Sequence, residues 1–240
     1  METVPADLSV PLSAPAPGVV VVHEILGLND DMRRIVGRFA DEGYVALAPD
    51  FFAGLGPRPI CMVRLLQGIA EGREGGPFRR LHAARRWLGA RAEVARGPVG
   101  VAGFCMGGGF ALLYAAGAST DGEAPPLGAV APFYASVPED ESTLADVCPT
   151  VASYGGRDGS LAGAGERLAA ALDRHGIAHD VKTYPEAGHS FANRLSGVAG
   201  VLGRLTPMHA GYVESAAEDA WARTIAFFDR HLRPVTEASS

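Results

Sequence analysis

Short runs of β-branched and small apolar residues alternate along the chain with segments in which apolar residues recur at helical spacing. The runs are too short for helices and are apolar at successive positions, which is typical of strands buried on both faces of a sheet. Strands are predicted over residues 18–25, 44–50, 98–104, 127–134, 149–156 and 179–185. Helices are predicted from residue 29 or 30 to residue 43, and over residues 61–70, 78–92, 107–117, 161–175 and 212–231.

This regular alternation predicts an α/β fold, with a mostly parallel central sheet and helices on both faces. We expect one domain over residues 1–240, with loose termini at residues 1–17 and 234–240. Residues 51–77 and 193–211 fit the alternation poorly, and long irregular loops in such folds usually form the walls or lids of sites.

Composition and charge exclude several classes of protein. The chain has 240 residues and is 48% hydrophobic, which is incompatible with general disorder. Its formal net charge of −6 argues against a nucleic-acid binder, which would need a basic face. No apolar run approaches the length of a membrane span, and the N-terminus has neither the basic flank nor the apolar core of a signal peptide.

Cysteine and histidine usage argues against disulfides and metal sites. Cys61, Cys105 and Cys148 form no CxxC pair, and their odd number cannot close a set of disulfides. No two of the seven histidines have the spacing of metal ligands. We therefore expect no metal and a reducing, cytoplasmic compartment.

The segment Gly103-Phe104-Cys105-Met106-Gly107 has the spacing G-x-C-x-G between a predicted strand and a predicted helix. This is the nucleophile-elbow pattern with cysteine in place of serine. Amide groups and the dipole at the start of a helix lower the pKa of a thiol and can hold an oxyanion. The alternative is a glycine-rich turn around a buried, inert cysteine.

Asp158 and His189 each follow a predicted strand, in the segments YGGRDG and EAGHSF. Parallel sheets place their active sites at the carboxyl ends of strands, and the order nucleophile, acid, base is that of the α/β-hydrolase triad. Histidine would accept and return the proton, and aspartate would orient the imidazole. Taken singly, the aspartate could be a turn residue and the histidine a solvated loop residue.

The loop His23-Glu24-Ile25-Leu26-Gly27-Leu28 follows the first predicted strand, where such folds usually supply a second oxyanion donor from a backbone N–H. Glu24 is unusual there, because an acid beside a cysteine nucleophile would raise the thiol pKa or accept its proton. An ordinary loop carboxylate is the alternative. His23 lies beside the predicted site, at the end of its strand.

From Gly18 to Leu232 the sequence resembles the dienelactone hydrolase family, a cysteine branch of the α/β hydrolases. The resemblance rests on the segments HEILGLND, YVALAPDFF, VGVAGFCMGGGFALL, SYGGRDGS and YPEAGHSFANR. It implies that Cys105 is the nucleophile, His189 the base and Asp158 the orienting acid. It also implies that Glu24 partners Cys105 at rest and, on substrate binding, is redirected to generate the thiolate. The implied oxyanion donors are the backbone N–H groups of Ile25 and Met106, and no cofactor is implied.

The substrate residues depart from the family pattern. Two arginines bind the substrate carboxylate in the family's best-known members, one of them four residues after the catalytic histidine. That position is Asn193 here, followed by Arg194. The second arginine comes from the segment before the next helix, where Arg64, Arg73 and Arg79 are candidates. We take Arg64, Arg79, Asn193 and Arg194 as candidate substrate-binding residues.

The sequence thus predicts a hydrolase that cleaves an ester or lactone of a small, acidic, dienelactone-type substrate through a Cys105 thioester. One alternative is a carboxylesterase or thioesterase with another physiological substrate. The other is a redox or binding protein in which Cys105 reacts with oxidants or electrophiles without ester turnover. The expected partner is a small molecule, and the expected state is a monomer or small homo-oligomer.

Overall fold

The computed structural model describes residues 4–54, 75–117, 124–194 and 205–233. The strands are β1 Ala6–Ser9, β2 Gly18–Val22, β3 Val45–Pro49, β4 Val99–Phe104, β5 Leu127–Phe133, β6 Thr150–Gly155 and β7 His179–Tyr184. The helices are α1 Asp30–Asp41, α2 Gly76–Gly89, α3 Met106–Gly117, α4 Ala164–Arg174 and α5 Glu214–Leu232, with short 3-10 turns at Glu141–Leu144 and Gly159–Leu161. Six of these strands and all five helices correspond to predicted elements. The predicted helix 61–70 lies outside the described residues.

The strands form one seven-stranded sheet in the order β1-β3-β2-β4-β5-β6-β7. All neighbouring pairs are parallel except β1 with β3, which is antiparallel. The expectation of a loose N-terminus does not hold for Ala6–Ser9, which pairs with Ala46–Pro49 as an edge strand. A four-residue edge strand interrupted soon afterwards by Pro11 has too little pattern to be recognised in the sequence.

Helices cover both faces of the sheet, as predicted. Helices α1 and α5 bury an aromatic cluster on one face, including Phe39, Trp221 and Phe228. Helices α2, α3 and α4 pack on the other face through residues such as Leu81, Phe110 and Leu168. The predicted α/β-hydrolase architecture is confirmed. In the described ranges, no helix is both long enough and apolar enough to cross a bilayer.

Candidate active site

Cys105 occupies the turn between β4 and α3, at the carboxyl end of the central strands. Its backbone is left-handed, with φ of 57°, a conformation that costs energy in a residue other than glycine and recurs at functional sites. The flanking glycines are required by close approach. A Cβ at Gly103 would overlap the Gly107 carbonyl, and one at Gly107 would overlap the His23 carbonyl. The G-x-C-x-G spacing therefore lets the helix start directly against the end of β2.

The turn presents the Cys105 thiol at the N-terminus of α3. The Cys105 amide donates to the Phe133 carbonyl (3.1 Å), which ties the turn to the end of β5, and the Cys105 carbonyl accepts from Gly108 (2.9 Å). The side chain is only partly buried, unlike most of the apolar residues of α3. A thiol in this position feels the positive end of the helix dipole.

The side chains of Cys105, His189 and Asp158 form a continuous chain of contacts. His189 Nε2 lies 3.0 Å from the Cys105 sulfur, and His189 Nδ1 lies 2.5 Å from Asp158 Oδ2. Asp158 is fully buried at the side chain and also accepts from Ser160 N (3.0 Å) and Ser160 Oγ (2.5 Å). The structure thus brings together the three residues that the sequence placed at separate strand ends.

These contacts set the charges of the histidine and the aspartate. Burial lowers the pKa of His189, but its hydrogen bonds to Asp158 and Cys105 and their charges outweigh burial and raise the pKa to about 9. Burial raises the pKa of Asp158, and here too the hydrogen bonds from His189 and Ser160 outweigh it, so the pKa lies below its ordinary value. The contacts thus favour the charged forms of both side chains, an imidazolium against a carboxylate.

The loop that carries His189 is supported by residues 205–211. The His189 amide donates to the Met208 carbonyl (2.8 Å), and the Gly211 amide donates to the His189 carbonyl (3.0 Å). A Cβ at Gly188 would overlap the His209 carbonyl. The sequence predicted a wall or lid over residues 193–211. In the part described after residue 204, this segment instead supports the loop that carries His189.

Glu24 is buried, with 2% of its surface exposed, just beyond the end of β2. Burial raises its pKa above the ordinary value, while a hydrogen bond from Asn29 Nδ2 to Glu24 Oε1 (3.3 Å) opposes the shift. Asn29 also caps α1 by accepting from the Met32 amide (2.9 Å). In the described part of the chain, the carboxylate thus bonds to Asn29 and not to the Cys105 sulfur, which is held by His189.

The two expected oxyanion donors lie on adjoining segments. Met106 is the first residue of α3, and Ile25 follows Glu24 in a turn closed by the Gly27 amide on the Glu24 carbonyl (3.0 Å). Within the described ranges, neither the Ile25 nor the Met106 amide donates to a protein acceptor. Both N–H groups therefore retain their capacity to bind an oxygen atom.

Asn193 is not placed to bind a ligand. It is completely buried, its Oδ1 accepts from the Tyr134 hydroxyl, and its Nδ2 donates to Asp31 Oδ2 (2.8 Å). Asp31 also accepts from the Arg194 amide (3.0 Å) and is paired with Arg34 (2.6 Å). The asparagine side chain therefore connects the loop that carries His189 to α1 and to the end of β5.

The arginine candidates are dispersed. Arg194 is exposed, and its guanidinium lies 4.9 Å above the Tyr212 ring. Arg79 is exposed on α2, and Arg64 lies outside the described residues. The described residues therefore show no arginine pair around the thiol like the one expected from the family pattern.

Tyr134 is a site residue that the sequence analysis missed. It directly follows β5, has a left-handed φ of 36°, and is buried with its ring 5.1 Å from the His189 ring. Burial raises its pKa well above the ordinary value. Its position at the carboxyl end of a parallel strand was the available indication, because active-site residues collect there.

In the described part of the chain no three His, Cys, Asp or Glu side chains converge as metal ligands would.

A cysteine on a strand–turn–helix elbow above a mostly parallel sheet, with a histidine and an aspartate at two further strand ends, is the arrangement of an α/β hydrolase. A crystallised carboxylesterase from Lactobacillus plantarum shares the fold, with a TM-score of 0.68 at 12% identity over 95% of this chain and 93% of that one.

A family model described as the dienelactone hydrolase family matches residues 4–232, and the chain belongs to that family. Carboxymethylenebutenolidase of Pseudomonas putida is 30% identical over 228 residues, which cover 90% of this chain and 87% of the relative. A dienelactone hydrolase-like promiscuous phosphotriesterase from metagenomic libraries is 26% identical with a TM-score of 0.73, covering 92% of this chain and 89% of that structure. The protein is a carboxylic ester hydrolase of the dienelactone hydrolase type.

Proposed function

We propose that this chain hydrolyses a small ester or lactone through a thioester on Cys105, with a Cys105–His189–Asp158 triad. The observation that carries the proposal is the unbroken contact from the Cys105 sulfur through both nitrogens of His189 to Asp158. A thiol, an imidazole and a buried carboxylate in this order are the components of nucleophilic acyl transfer.

Acylation requires the Cys105 thiolate, with the proton of the thiol carried by His189 Nε2. The sulfur attacks the carbonyl carbon, and the carbonyl π electrons move to the oxygen, which the amides of Ile25 and Met106 stabilise. The tetrahedral intermediate collapses, the C–O bond breaks, and His189 Nε2–H protonates the leaving oxygen. The products are an alcohol and the Cys105 thioester; in a lactone the two remain one molecule.

Deacylation reverses the roles. Neutral His189 Nε2 removes a proton from water, and the hydroxyl oxygen attacks the thioester carbon. Collapse of the second intermediate expels the Cys105 thiolate and releases the carboxylic acid. The proton on His189 then faces the sulfur again, and Asp158 keeps the imidazole oriented through the whole cycle.

The first substrate candidate is a small, acidic lactone of the dienelactone type, as the family membership suggests. Its carboxylate would be bound by arginine, and Arg64 and Arg79 remain the candidates from the sequence. A second candidate is a neutral carboxylic ester or thioester. Two observations favour it: Asn193 is saturated by Tyr134 and Asp31, and Arg194 packs on Tyr212.

The test of the mechanism is trapping of the acyl enzyme. We expect p-nitrophenyl acetate, quenched in acid during turnover, to leave an acetyl group on the peptide that contains Cys105. Cys105→Ala should carry no acetyl group, and Cys148→Ala should be acylated normally, because burial raises the pKa of the Cys148 thiol to about 12. Acetylation elsewhere, or turnover by Cys105→Ala above a tenth of the wild-type rate, would refute the assignment.

Two further comparisons separate the alternatives. Arg64→Ala and Arg79→Ala, measured on anionic and neutral esters of matched size, distinguish the substrate classes, because loss of a carboxylate-binding arginine raises KM for the anion alone. Peroxide consumption without ester turnover would indicate the redox protein instead. We propose a reducing cytoplasm as the compartment, because the cysteines are odd in number and form no CxxC pair.

A further inference from the structure

His23 has no part in the acyl-transfer steps above, although it is almost fully buried at the edge of the site, with 1% of its surface exposed. Its Nδ1 lies 2.8 Å from the Glu24 carbonyl oxygen, and its Nε2 lies 3.0 Å from the Phe51 amide nitrogen. The ring packs against Phe52 (centroids 5.0 Å apart) and Phe51 (5.4 Å). A buried imidazole with both nitrogens engaged is a fixed element of the structure.

The two neighbours determine the tautomer. A carbonyl oxygen only accepts, so Nδ1 must carry the proton; a backbone N–H only donates, so Nε2 must present its lone pair. His23 is therefore neutral, with the hydrogen on Nδ1. A charged group that faces it among the described residues is Asp50, whose Oδ1 is 3.7 Å from Nε2 and so beyond a direct hydrogen bond.

The Nδ1–H bond fixes a particular peptide group. The Glu24 carbonyl and the Ile25 amide belong to one planar trans peptide, in which C=O and N–H point in opposite directions. The carbonyl is held by His23 and by the Gly27 amide (3.0 Å), so the Ile25 N–H is turned away from both. On the neighbouring side, the start of α3 meets this segment at Gly107, whose absent Cβ would overlap the His23 carbonyl.

We propose that His23 is a positioning residue for the oxyanion: its Nδ1–H locks the Glu24–Ile25 peptide so that the Ile25 N–H is aimed at the oxygen of the reacting carbonyl. The inference rests on the proposed acyl transfer at Cys105. Fixed donors stabilise developing charge because they need not reorient during the reaction. Without His23, the one contact of the Glu24 carbonyl left among the described residues would be the Gly27 bond, and the peptide could rotate.

The test compares two substitutions of nearly equal shape. His23→Asn can place its amide N–H where Nδ1–H lies, whereas His23→Leu has no donor. We expect His23→Leu to lower kcat for p-nitrophenyl acetate about 10- to 100-fold with KM within about twofold, and His23→Asn to recover most of the loss. His179→Leu is the matched control, because His179 also contacts a backbone carbonyl through Nδ1 (Ile177, 2.9 Å) but at the start of β7; it should leave kcat unchanged.

Alkylation of Cys105 by iodoacetamide provides the second readout. That reaction displaces iodide at a saturated carbon and forms no oxyanion, so Cys105 in His23→Leu should be alkylated at the wild-type rate while the variant hydrolyses ester slowly.

The third readout is a double-mutant cycle with Ile25→Pro, which removes the amide hydrogen at a turn position that accepts proline. In that background His23→Leu should reduce kcat no further, because both changes remove the same donor.

Three outcomes would each overturn the positioning role. They are a wild-type kcat in His23→Leu, an equal loss of kcat in His23→Asn and His23→Leu, and a loss of the alkylation rate in His23→Leu that parallels its loss of hydrolysis. Additive losses in the cycle would do the same. If instead the wild-type protein turns over no ester while Cys105 is still alkylated, the proposed acyl transfer is refuted, and the positioning role of His23 is refuted with it. The wild-type measurement thus separates the two failures.

Discussion

The contact between His189 and Asp158 offers a quantitative test of the site. Asp158→Asn keeps the size of the side chain but removes its negative charge, at a position where the carboxylate is fully buried and lies 2.5 Å from His189 Nδ1. An asparagine there can still accept from Ser160, so the local turn should survive. The change should act mainly on the protonation state and orientation of the imidazole.

The size of the effect follows from the pKa of His189. Its rise from 6.5 to about 9 corresponds to about 3 kcal/mol in favour of the imidazolium, gained against the opposing effect of burial. Asp158→Asn removes two of the causes of this rise, the hydrogen bond from the carboxylate and its charge, so the pKa of His189 should fall and a smaller fraction of the imidazole should be protonated at pH 7.5. Loss of the orienting carboxylate in a triad costs up to about 10⁴-fold in kcat, and we expect a loss of about 10²- to 10⁴-fold here.

The same shift has a consequence for stability. Because the pKa of His189 is raised in the folded state, its contribution to the free energy of unfolding is fully present below pH 6.5 and is lost as pH rises through 9. The wild-type protein should therefore lose up to about 3 kcal/mol of stability over that interval, and Asp158→Asn should lose less, because only the contribution of Cys105 still raises the pKa.

The assay is an NMR titration of His189, combined with urea unfolding at pH 6.5 and pH 9 for both proteins. Ser160→Ala is the control, because it removes one hydrogen-bond donor to Asp158 and leaves the contact between Asp158 and His189 in place. It should shift the titration midpoint of His189 only slightly. A His189 midpoint that is unchanged in Asp158→Asn would contradict the assignment of the charge coupling. So would a pH-dependent loss of stability of equal size in both proteins.

Four shorter predictions follow from the same contacts. Cys105→Ala should lower ester hydrolysis by about 10⁴-fold or more with an unchanged circular dichroism spectrum. Glu24→Gln should change the pH profile of iodoacetamide labelling, whereas superimposable profiles would reduce Glu24 to a structural carboxylate. Tyr134→Phe leaves the buried Asn193 oxygen without its donor and should cost about 1–3 kcal/mol in urea unfolding. Gly188→Ala should destabilise the loop that carries His189 and lower kcat and the midpoint of unfolding together, because its Cβ overlaps a backbone carbonyl.

Much of the site could be predicted because the strands of a parallel sheet all end at the same edge, so residues that follow different strands in the sequence lie near one another in the fold. Cys105, Asp158 and His189 each follow a strand of the parallel sheet, and the carboxyl ends of β4, β6 and β7 lie along one edge. The substrate residues could not be predicted in this way. The environment of Asn193 depends on Asp31 in α1 and Tyr134 after β5, two residues whose convergence no local pattern indicates. Edge strand β1 was missed for a related reason: its pairing with β3, and not its own four residues, makes it a strand.

His23 and His189 show why residue type and strand-end position are not enough to assign a role. Both are buried histidines that follow strands of the same sheet edge. The Nδ1–H of His189 meets a carboxylate, and its Nε2 meets a thiol, so the ring holds a proton that it can transfer. The Nδ1–H of His23 meets a carbonyl, and its Nε2 accepts from an amide, so both ring nitrogens are engaged and the Nε2 lone pair is not free to take a proton. The partners that decide between acid–base chemistry and positioning at His23 are backbone groups, which every residue carries and which the sequence therefore cannot distinguish.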